Sequence, residues 1–356
     1  MRAKSSGTFC QKRSGAGASP EGRIRQGAPE PGLESGPHGQ SGWNRGRDPV
    51  PGWSAAFSLG GSSVDLVTII RRLDDFWRGE GCVIGQPYDR EKGAGTMNPL
   101  TFFRALGPEP WRVAYVEPCR RPADGRYGDS PNRLSRYLQY QVLVKPAPED
   151  IVERYLASLA ALGLSWDRHD LRLVEDNWEH PSLGAWGLGW EVWVDGMEVT
   201  QFTYFQQVAG LEAKPVSVEI TYGLERIAAY IQTVDSVYDL AYDQTVSYGE
   251  MALAEERQNC RYAFETASVA FLRQSFEAGE AEGLRALEAG LWAAAYDQAL
   301  DCSRAFNLLE ARRALAWTER AALVGRIRTL ARRAAELWLR ERQEMGFPLL
   351  GVGGAK

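Results

Sequence analysis

The chain has 356 residues and a formal net charge of −5, with 44% hydrophobic and 24% charged residues. These values fit a globular protein of about two domains, and the negative net charge excludes a uniformly basic nucleic-acid binder. No apolar run of membrane-spanning length occurs, so we expect no membrane contact. Five scattered cysteines and three histidines argue against a disulfide scaffold, a structural zinc site and a histidine-based triad, and favour a cytoplasmic location.

Residues 1–61 are rich in Gly, Pro and Ser and show no apolar periodicity. Such a segment cannot bury enough surface to offset the entropy of ordering, so we expect a disordered extension or a misplaced start. An organelle-targeting peptide is a weaker alternative, since its amphipathic helix would not tolerate this Gly and Pro content.

Residues 62–245 are predicted to mix helices and strands. Ser62 or Ser63 can cap a helix over residues 64–77, which carries apolar residues at helical spacing and precedes a short strand at 82–87. Asp195-Gly196 predicts a tight hairpin turn. Further strands are predicted at 111–117, 137–144, 190–194, 197–206 and 217–222, and further helices at 148–163 and 227–232.

Residues 246–356 are dominated by Ala, Leu, Arg and Glu, and their apolar residues recur at intervals of three and four. This pattern predicts an all-helical domain. It contains no recognisable catalytic constellation, so we expect it to serve structure and subunit contacts.

An arginine-rich hairpin is the first candidate for chemistry. Arg120 and Arg121 follow one predicted strand, and a second strand beyond the loop carries Arg136 and Tyr140. Guanidinium groups bind phosphate oxygens in a bidentate manner, and an aromatic ring beside them can stack on a base. A surface hairpin with merely solvated arginines explains the same spacing equally well.

A strand at 218–222 turns directly into a helix, which places Arg226 in the first helical turn. A cation is unfavourable there unless an anionic ligand or a carboxylate compensates it. Glu219 and Thr221 share one face of the strand. The alternative for Arg226 is a salt bridge to Glu225 or to another acid.

The predicted hairpin around residue 195 carries Glu191, Glu198 and Gln201. Two carboxylates on neighbouring strands can hold Mg²⁺ against a phosphate, although such residues are often only exposed polar positions. The glycine-rich run before this hairpin, residues 183–190, leads into a strand and not a helix. It therefore predicts tight backbone packing or a close approach to a small ligand, and not a dinucleotide fingerprint.

From about Val64 onward the chain resembles the alpha subunit of the bacterial heterotetrameric glycyl-tRNA synthetase. The strongest runs are residues 120–128, 174–178, 183–193, 197–207 and 220–226. The resemblance implies an α+β fold with a class II synthetase core, an antiparallel sheet flanked by helices, followed by the all-helical C-terminal domain.

The resemblance also implies roles for individual residues. Arg120 or Arg121 would hold the ATP α-phosphate with Arg136 nearby, Tyr140 would stack on adenine, and Arg226 would contact the γ-phosphate. Glu198 would bind Mg²⁺ and ATP. The glycine pocket would be formed by Thr96, Trp178, Gln201 and Glu219.

The implied activity is that of a glycine-tRNA ligase, which activates glycine with ATP and transfers it to the 3′ end of tRNA-Gly. The implied partners are a beta subunit in an α2β2 assembly, and a second copy that pairs through residues 64–87. Two alternatives are a non-catalytic synthetase-like protein that binds ATP, an amino acid or a partner, and a helical scaffold with an incidental sheet.

Overall fold

The computed structural model describes residues 64–164 and 168–351. The predicted extension at 1–61 and the candidate caps Ser62 and Ser63 lie outside these residues. Within them, no helix has the length and apolar character needed to cross a membrane.

The first helix, α1 (Leu66–Gly79), confirms the prediction from apolar periodicity. Its N-cap is Asp65, whose carboxylate accepts a hydrogen bond from the Thr68 amide at 2.7 Å. This bond satisfies one of the amide groups that a helix start leaves without a partner. The apolar stripe of α1 ends at Trp77, which is buried against the sheet and donates to the Tyr222 hydroxyl at 3.1 Å.

Within residues 64–164 and 168–351, one sheet of eight strands lies between two hydrophobic cores. The strands are β1 (Val83–Ile84), β2 (Trp111–Arg120), β3 (Arg136–Lys145), β4 (Leu171–His180), β5 (Ala185–Val194), β6 (Met197–Val208), β7 (Leu211–Glu212) and β8 (Val218–Gly223). Their order is β1-β2-β3-β8-β6-β5-β4, with β7 paired to β6. All pairs are antiparallel except β1 with β2.

Strand β4 was not among the predicted strands. It forms the edge of the sheet beyond β5, and most of its side chains are exposed or half-buried. An edge strand of this kind lacks the alternation of buried apolar and exposed polar residues that marks a strand in sequence. The hairpin between β5 and β6 was predicted and is confirmed, since Asp195 and Gly196 both have positive φ, at 49° and 87°.

The other helices are α2 (Pro99–Phe102), α3 (Ile151–Leu162), α4 (Leu224–Gln232), α5 (Tyr248–Arg261), α6 (Val269–Glu288), α7 (Trp292–Ala311) and α8 (Trp317–Glu344). Helices α1, α3 and α4 share a hydrophobic core with one face of the sheet. Helices α6, α7 and α8 share a second core with residues of the opposite face, such as Tyr115, Leu143 and Phe205. The antiparallel sheet flanked by helices and the helical C-terminal region are therefore as predicted.

The glycine-rich run confirms the prediction of tight packing. Gly189 lies in β5 directly against β6, where a Cβ atom would clash with the Phe202 carbonyl oxygen. No other residue type fits this close approach of two backbones.

Candidate active site

A polar cavity of about 380 Å³ opens on the sheet face that also carries helices α6 to α8. Cross-strand pairing brings polar residues of the cavity wall together, because Thr221 pairs with Gln201, and Gln201 pairs with Glu191. Directly paired residues share a face of the sheet. Strands β8, β6 and β5 thus contribute one row of polar side chains to the same cavity.

Glu219 lies at the bottom of this cavity and is buried to 1% exposure. Its Oε2 accepts a hydrogen bond from the Thr96 hydroxyl at 2.9 Å, whereas its Oε1 has no hydrogen-bond partner within residues 64–164 and 168–351. Burial raises the pKa of Glu219 to about 8, and the neighbouring side chains of Thr96 and Gln141 oppose that rise. A buried carboxylate with a free oxygen fits a cationic group that enters the cavity.

Thr96 reaches Glu219 from a short 3₁₀ turn at Gly95–Met97. The Gly95 amide donates to Gln139 Oε1 at 2.8 Å, which ties the turn to β3. A buried ion pair joins the segment before the turn to β2, with Lys92 Nζ at 2.7 Å from Glu117 Oε1. Thr96 is therefore fixed by contacts outside its own turn.

Arg226 and Glu198 lie at the mouth of the cavity. Arg226 donates to the Glu198 carbonyl oxygen at 2.8 Å and to its carboxylate at 3.3 Å. The carboxylate that compensates Arg226 is thus Glu198, which corresponds to the salt-bridge alternative considered from the sequence. Both side chains are more than one-third exposed, so an incoming anion could still contact Arg226.

Arg121, and not Arg120, faces the cavity. Its Nε donates to the Gly93 carbonyl oxygen at 2.9 Å, and its guanidinium lies over the Tyr137 ring at 5.3 Å from the centroid. Arg120 does not line this cavity and has its Nε 3.9 Å from a carboxylate oxygen of Glu91. Adjacent residues at a strand end point to opposite faces. The expectation that Arg120 holds a phosphate in this cavity is therefore corrected, because only Arg121 of the two lines it.

Tyr140 and Arg136 also lie outside the cavity. Tyr140 is fully buried on the opposite face, where its hydroxyl donates to Asp74 of α1 at 2.9 Å. Arg136 forms an ion pair with Glu255 of α5 at 2.6 Å. The expectations that Tyr140 stacks on adenine and that Arg136 binds ATP are corrected, because residues 136 and 140 share the face of β3 that turns away from the cavity.

The residues of β3 that line the cavity are Tyr137 and Gln139, and sequence reasoning missed both as site residues. The available signal was the period-two alternation of β3, in which Leu138, Tyr140 and Val142 form the apolar set. Asp176 was also missed. It accepts a hydrogen bond from Gln201 Nε2 at 3.1 Å and lies on the unpredicted strand β4.

Glu225 was considered only as a partner for Arg226, yet it also lines the cavity. Its Oε1 accepts hydrogen bonds from the Leu138 amide at 2.7 Å and from the Tyr248 hydroxyl at 2.6 Å. Burial raises the pKa of Glu225 to about 7. These contacts tie the start of α4 to β3 and α5.

The carboxylates of the cavity suit a magnesium ion that arrives with a nucleotide. In the described part of the chain, no three His, Cys, Asp or Glu side chains converge to hold a metal by themselves. Mg²⁺ at nucleotide sites takes only one or two carboxylates and fills its shell with water and phosphate oxygens. Glu198 and Glu191, which line the same cavity, fit that requirement.

Trp178 forms a wall between the cavity and a second cavity of about 380 Å³. Its ring packs edge-on against Phe205 at 5.9 Å. The second cavity also contains Arg121 and His180. Burial, together with the charge of Arg121, lowers the pKa of His180 to about 4, so Arg121 supplies the positive charge there at neutral pH.

The family model described as glycyl-tRNA synthetase alpha subunit matches residues 66–343. Among solved structures, two pyrrolysyl-tRNA synthetase structures from Desulfitobacterium hafniense are each 14% identical to the chain. They cover 52% of it and 73% and 75% of their own chains, with TM-scores of 0.39 and 0.36. Because the family match spans most of the sequence, this chain belongs to the glycyl-tRNA synthetase alpha subunit family.

Proposed function

We propose that this chain is the catalytic subunit of a glycine-tRNA ligase, as its family membership implies an aminoacyl-tRNA ligase. In this proposal it activates glycine with ATP and, with a beta subunit, transfers the glycyl group to tRNA-Gly. The observation that carries the proposal is the unpartnered Oε1 of the buried Glu219, in a cavity whose other polar groups include Arg121 and Arg226. Glu219 can accept the ammonium group of an amino acid, and the two arginines can bind the phosphates of a nucleotide in the same cavity.

Glycine would bind with its ammonium group at Glu219. The ammonium supplies the hydrogen bond that Oε1 lacks and favours the ionised carboxylate. Gln201 and Thr96 line the same cavity, and Thr96 contacts Glu219 directly. Trp178, held by Phe205, would exclude amino acids with larger side chains, because glycine offers no side chain that a pocket could recognise.

ATP would bind beside the glycine, with phosphate oxygens near Arg121 and Arg226. A planar guanidinium binds phosphate oxygens in a bidentate manner and stays charged at every working pH. Tyr137 is the aromatic residue on the cavity face of β3, and it lies under Arg121. It therefore replaces Tyr140 as the candidate for stacking on the adenine base.

The proposed chemistry needs alignment more than covalent assistance. The glycine carboxylate attacks the α-phosphorus, and the bond to the departing pyrophosphate breaks. Arg121 and Arg226 would hold the phosphates in line and offset the charge that develops on their oxygens. Mg²⁺, held by Glu198 and Glu191 when it binds, would neutralise further phosphate charge.

The second cavity supports transfer to tRNA, since it adjoins the first at Arg121, Asp124 and Trp178. The acceptor end of the tRNA could reach the adenylate from this side.

A self-dimer through residues 64–87 would use strand β1, where Val83 is 58% exposed at the edge of the sheet. The beta subunit would complete an α2β2 enzyme in the cytoplasm, with contacts from the helical region at 246–356.

Glycine-dependent exchange between ATP and pyrophosphate tests the proposal. The purified chain is assayed alone and with its companion subunit, with glycine, alanine or serine as the amino acid. We expect exchange with glycine only. No exchange with any amino acid, even with the companion present, would reject the catalytic proposal in favour of a non-catalytic synthetase-like protein.

A further inference from the structure

The loop between β2 and β3, residues 121–135, forms one rim of the catalytic cavity. We call it the arginine loop. Arg121, Asp124, Asn132, Arg133 and Leu134 from this loop line the cavity. Most of the loop has no regular secondary structure apart from a 3₁₀ turn at Pro122–Asp124, so its shape depends on contacts with other elements.

One carboxylate of α5 bonds to both arms of the arginine loop. Glu256 Oε1 accepts a hydrogen bond from the Arg126 amide at 3.2 Å. Its Oε2 accepts from the Ser135 amide at 2.9 Å and from the Ser135 hydroxyl at 2.6 Å. Glu256 is only 3% exposed. Hydrogen bonds to a buried carboxylate are among the stronger ones in proteins.

The loop also packs so closely on α5 that two of its glycines leave no room for a Cβ atom. A Cβ atom on Gly125 would be 2.5 Å from Cys260 Sγ, and a Cβ atom on Gly128 would clash with the Leu253 side chain. The Tyr127 amide donates to Cys260 Sγ at 3.2 Å. Residues at positions 253, 256 and 260 therefore form one face of α5 that supports the underside of the loop.

We propose that Glu256 is a positioning residue that joins the two arms of the arginine loop and so holds Arg121, Asn132 and Arg133 at the nucleotide. This inference rests on the proposed function for the identity of the nucleotide. Glu256 does not line the cavity itself, so it acts through the loop and not on the substrate.

The two substrates should respond differently to the loss of this contact. The candidate glycine groups, Glu219, Thr96 and Gln201, lie on other elements and make no hydrogen bond to Glu256. The phosphate-binding candidate Arg121 begins the loop. A loosened loop should therefore weaken ATP binding and leave glycine binding unchanged.

The kinetic test compares Glu256→Gln with Glu255→Gln in the full chain with its companion subunit. The amide at 256 keeps the shape of the side chain but leaves one arm of the loop without an acceptor. We expect KM for ATP to rise about tenfold, the effect of one charge-assisted hydrogen bond, with KM for glycine within about twofold of wild type. Glu255 is exposed and pairs with Arg136 outside the cavity, so its variant should retain both KM values.

Hydrogen exchange of the loop amides provides a readout that does not depend on activity. In Glu256→Gln, residues 121–135 should exchange faster, while β3 and β8 keep their protection. Unchanged exchange in the loop would overturn the proposal, as would a parallel rise of both KM values with a fall in Tm, which indicates general destabilisation. If the wild-type chain shows no glycine-dependent exchange, the proposed function fails, and hydrogen exchange still decides whether Glu256 anchors the loop.

Discussion

At the scale of single residues, burial sets the behaviour of the site. Glu219 and Glu225 are both nearly inaccessible, and burial raises the pKa of each. Oε1 of Glu225 accepts hydrogen bonds from two donors, whereas Oε1 of Glu219 has no partner among residues 64–164 and 168–351. From this difference we propose that Glu225 holds α4, β3 and α5 together and that Glu219 binds a ligand.

The raised pKa of Glu219 predicts how the variant Glu219→Gln changes stability with pH. The folded protein holds a proton on Glu219 up to about pH 8, whereas an exposed carboxyl loses it near 4.5. The wild type therefore loses stability as pH rises between these values, and glutamine does not titrate. In denaturant unfolding, the stability of the variant relative to wild type should increase by about 1 kcal/mol or more from pH 5 to pH 8. A pH-independent difference would contradict the raised pKa.

Arg226→Ala should separate catalysis from folding. The ion pair with Glu198 is more than one-third exposed, so we expect its loss to cost less than about 1 kcal/mol in unfolding free energy. Loss of a positioned phosphate ligand should lower exchange by about 100-fold or more. The control is Arg172→Ala, which removes an exposed arginine paired with Asp170. Near-normal exchange in Arg226→Ala would reject its assignment to ATP.

At the scale of elements, the two faces of β3 carry different tasks. Tyr137 lies on the cavity face, and Tyr140 lies on the face buried against α1, α3 and α4. The pairing of Tyr140 with Tyr222 places both in the same apolar layer. The same strand thus supplies the site with polar groups and the core with apolar ones.

Parallel substitutions in β3 test this division. Tyr137→Leu should raise KM for ATP about tenfold, because base stacking on an aromatic ring contributes about 1–3 kcal/mol. Tyr140→Leu should instead lower the unfolding free energy by about 2 kcal/mol, since it removes a buried ring and the hydrogen bond to Asp74, and leave KM for ATP unchanged. Kinetics and denaturant unfolding of both variants check this, and the opposite pattern would restore Tyr140 as the stacking residue.

At the scale of the whole molecule, the C-terminal helices are part of the structure that carries the site. Helices α6 to α8 share their core with the cavity face of the sheet. Tyr296 of α7 stacks on Phe102 at 4.5 Å, and its hydroxyl donates to the Met97 carbonyl oxygen at 2.8 Å. Met97 ends the turn that presents Thr96 to Glu219. A role in subunit contacts would therefore be additional to this structural role.

Tyr296→Ala should affect both stability and glycine binding. Removal of a fully buried aromatic side chain typically costs about 3–5 kcal/mol, and the turn that carries Thr96 loses a support. The control is Trp317→Ala, because Trp317 is 80% exposed and its loss should change stability by no more than about 0.5 kcal/mol. Equal stability of the two variants in thermal unfolding would contradict the shared core.

The sequence by itself determined the elements whose apolar residues repeat, namely α1, the central strands and the C-terminal helices, and it identified the turn at Asp195-Gly196. It also singled out Arg121, Arg226, Glu198, Gln201, Thr96, Trp178 and Glu219, all of which line one cavity. Only the tertiary structure decided between Arg120 and Arg121 and between Tyr140 and Tyr137, because the face of a strand end depends on its pairing register. It also placed the polar edge strand β4 and the Glu256 contact, since each depends on residues that are distant in sequence.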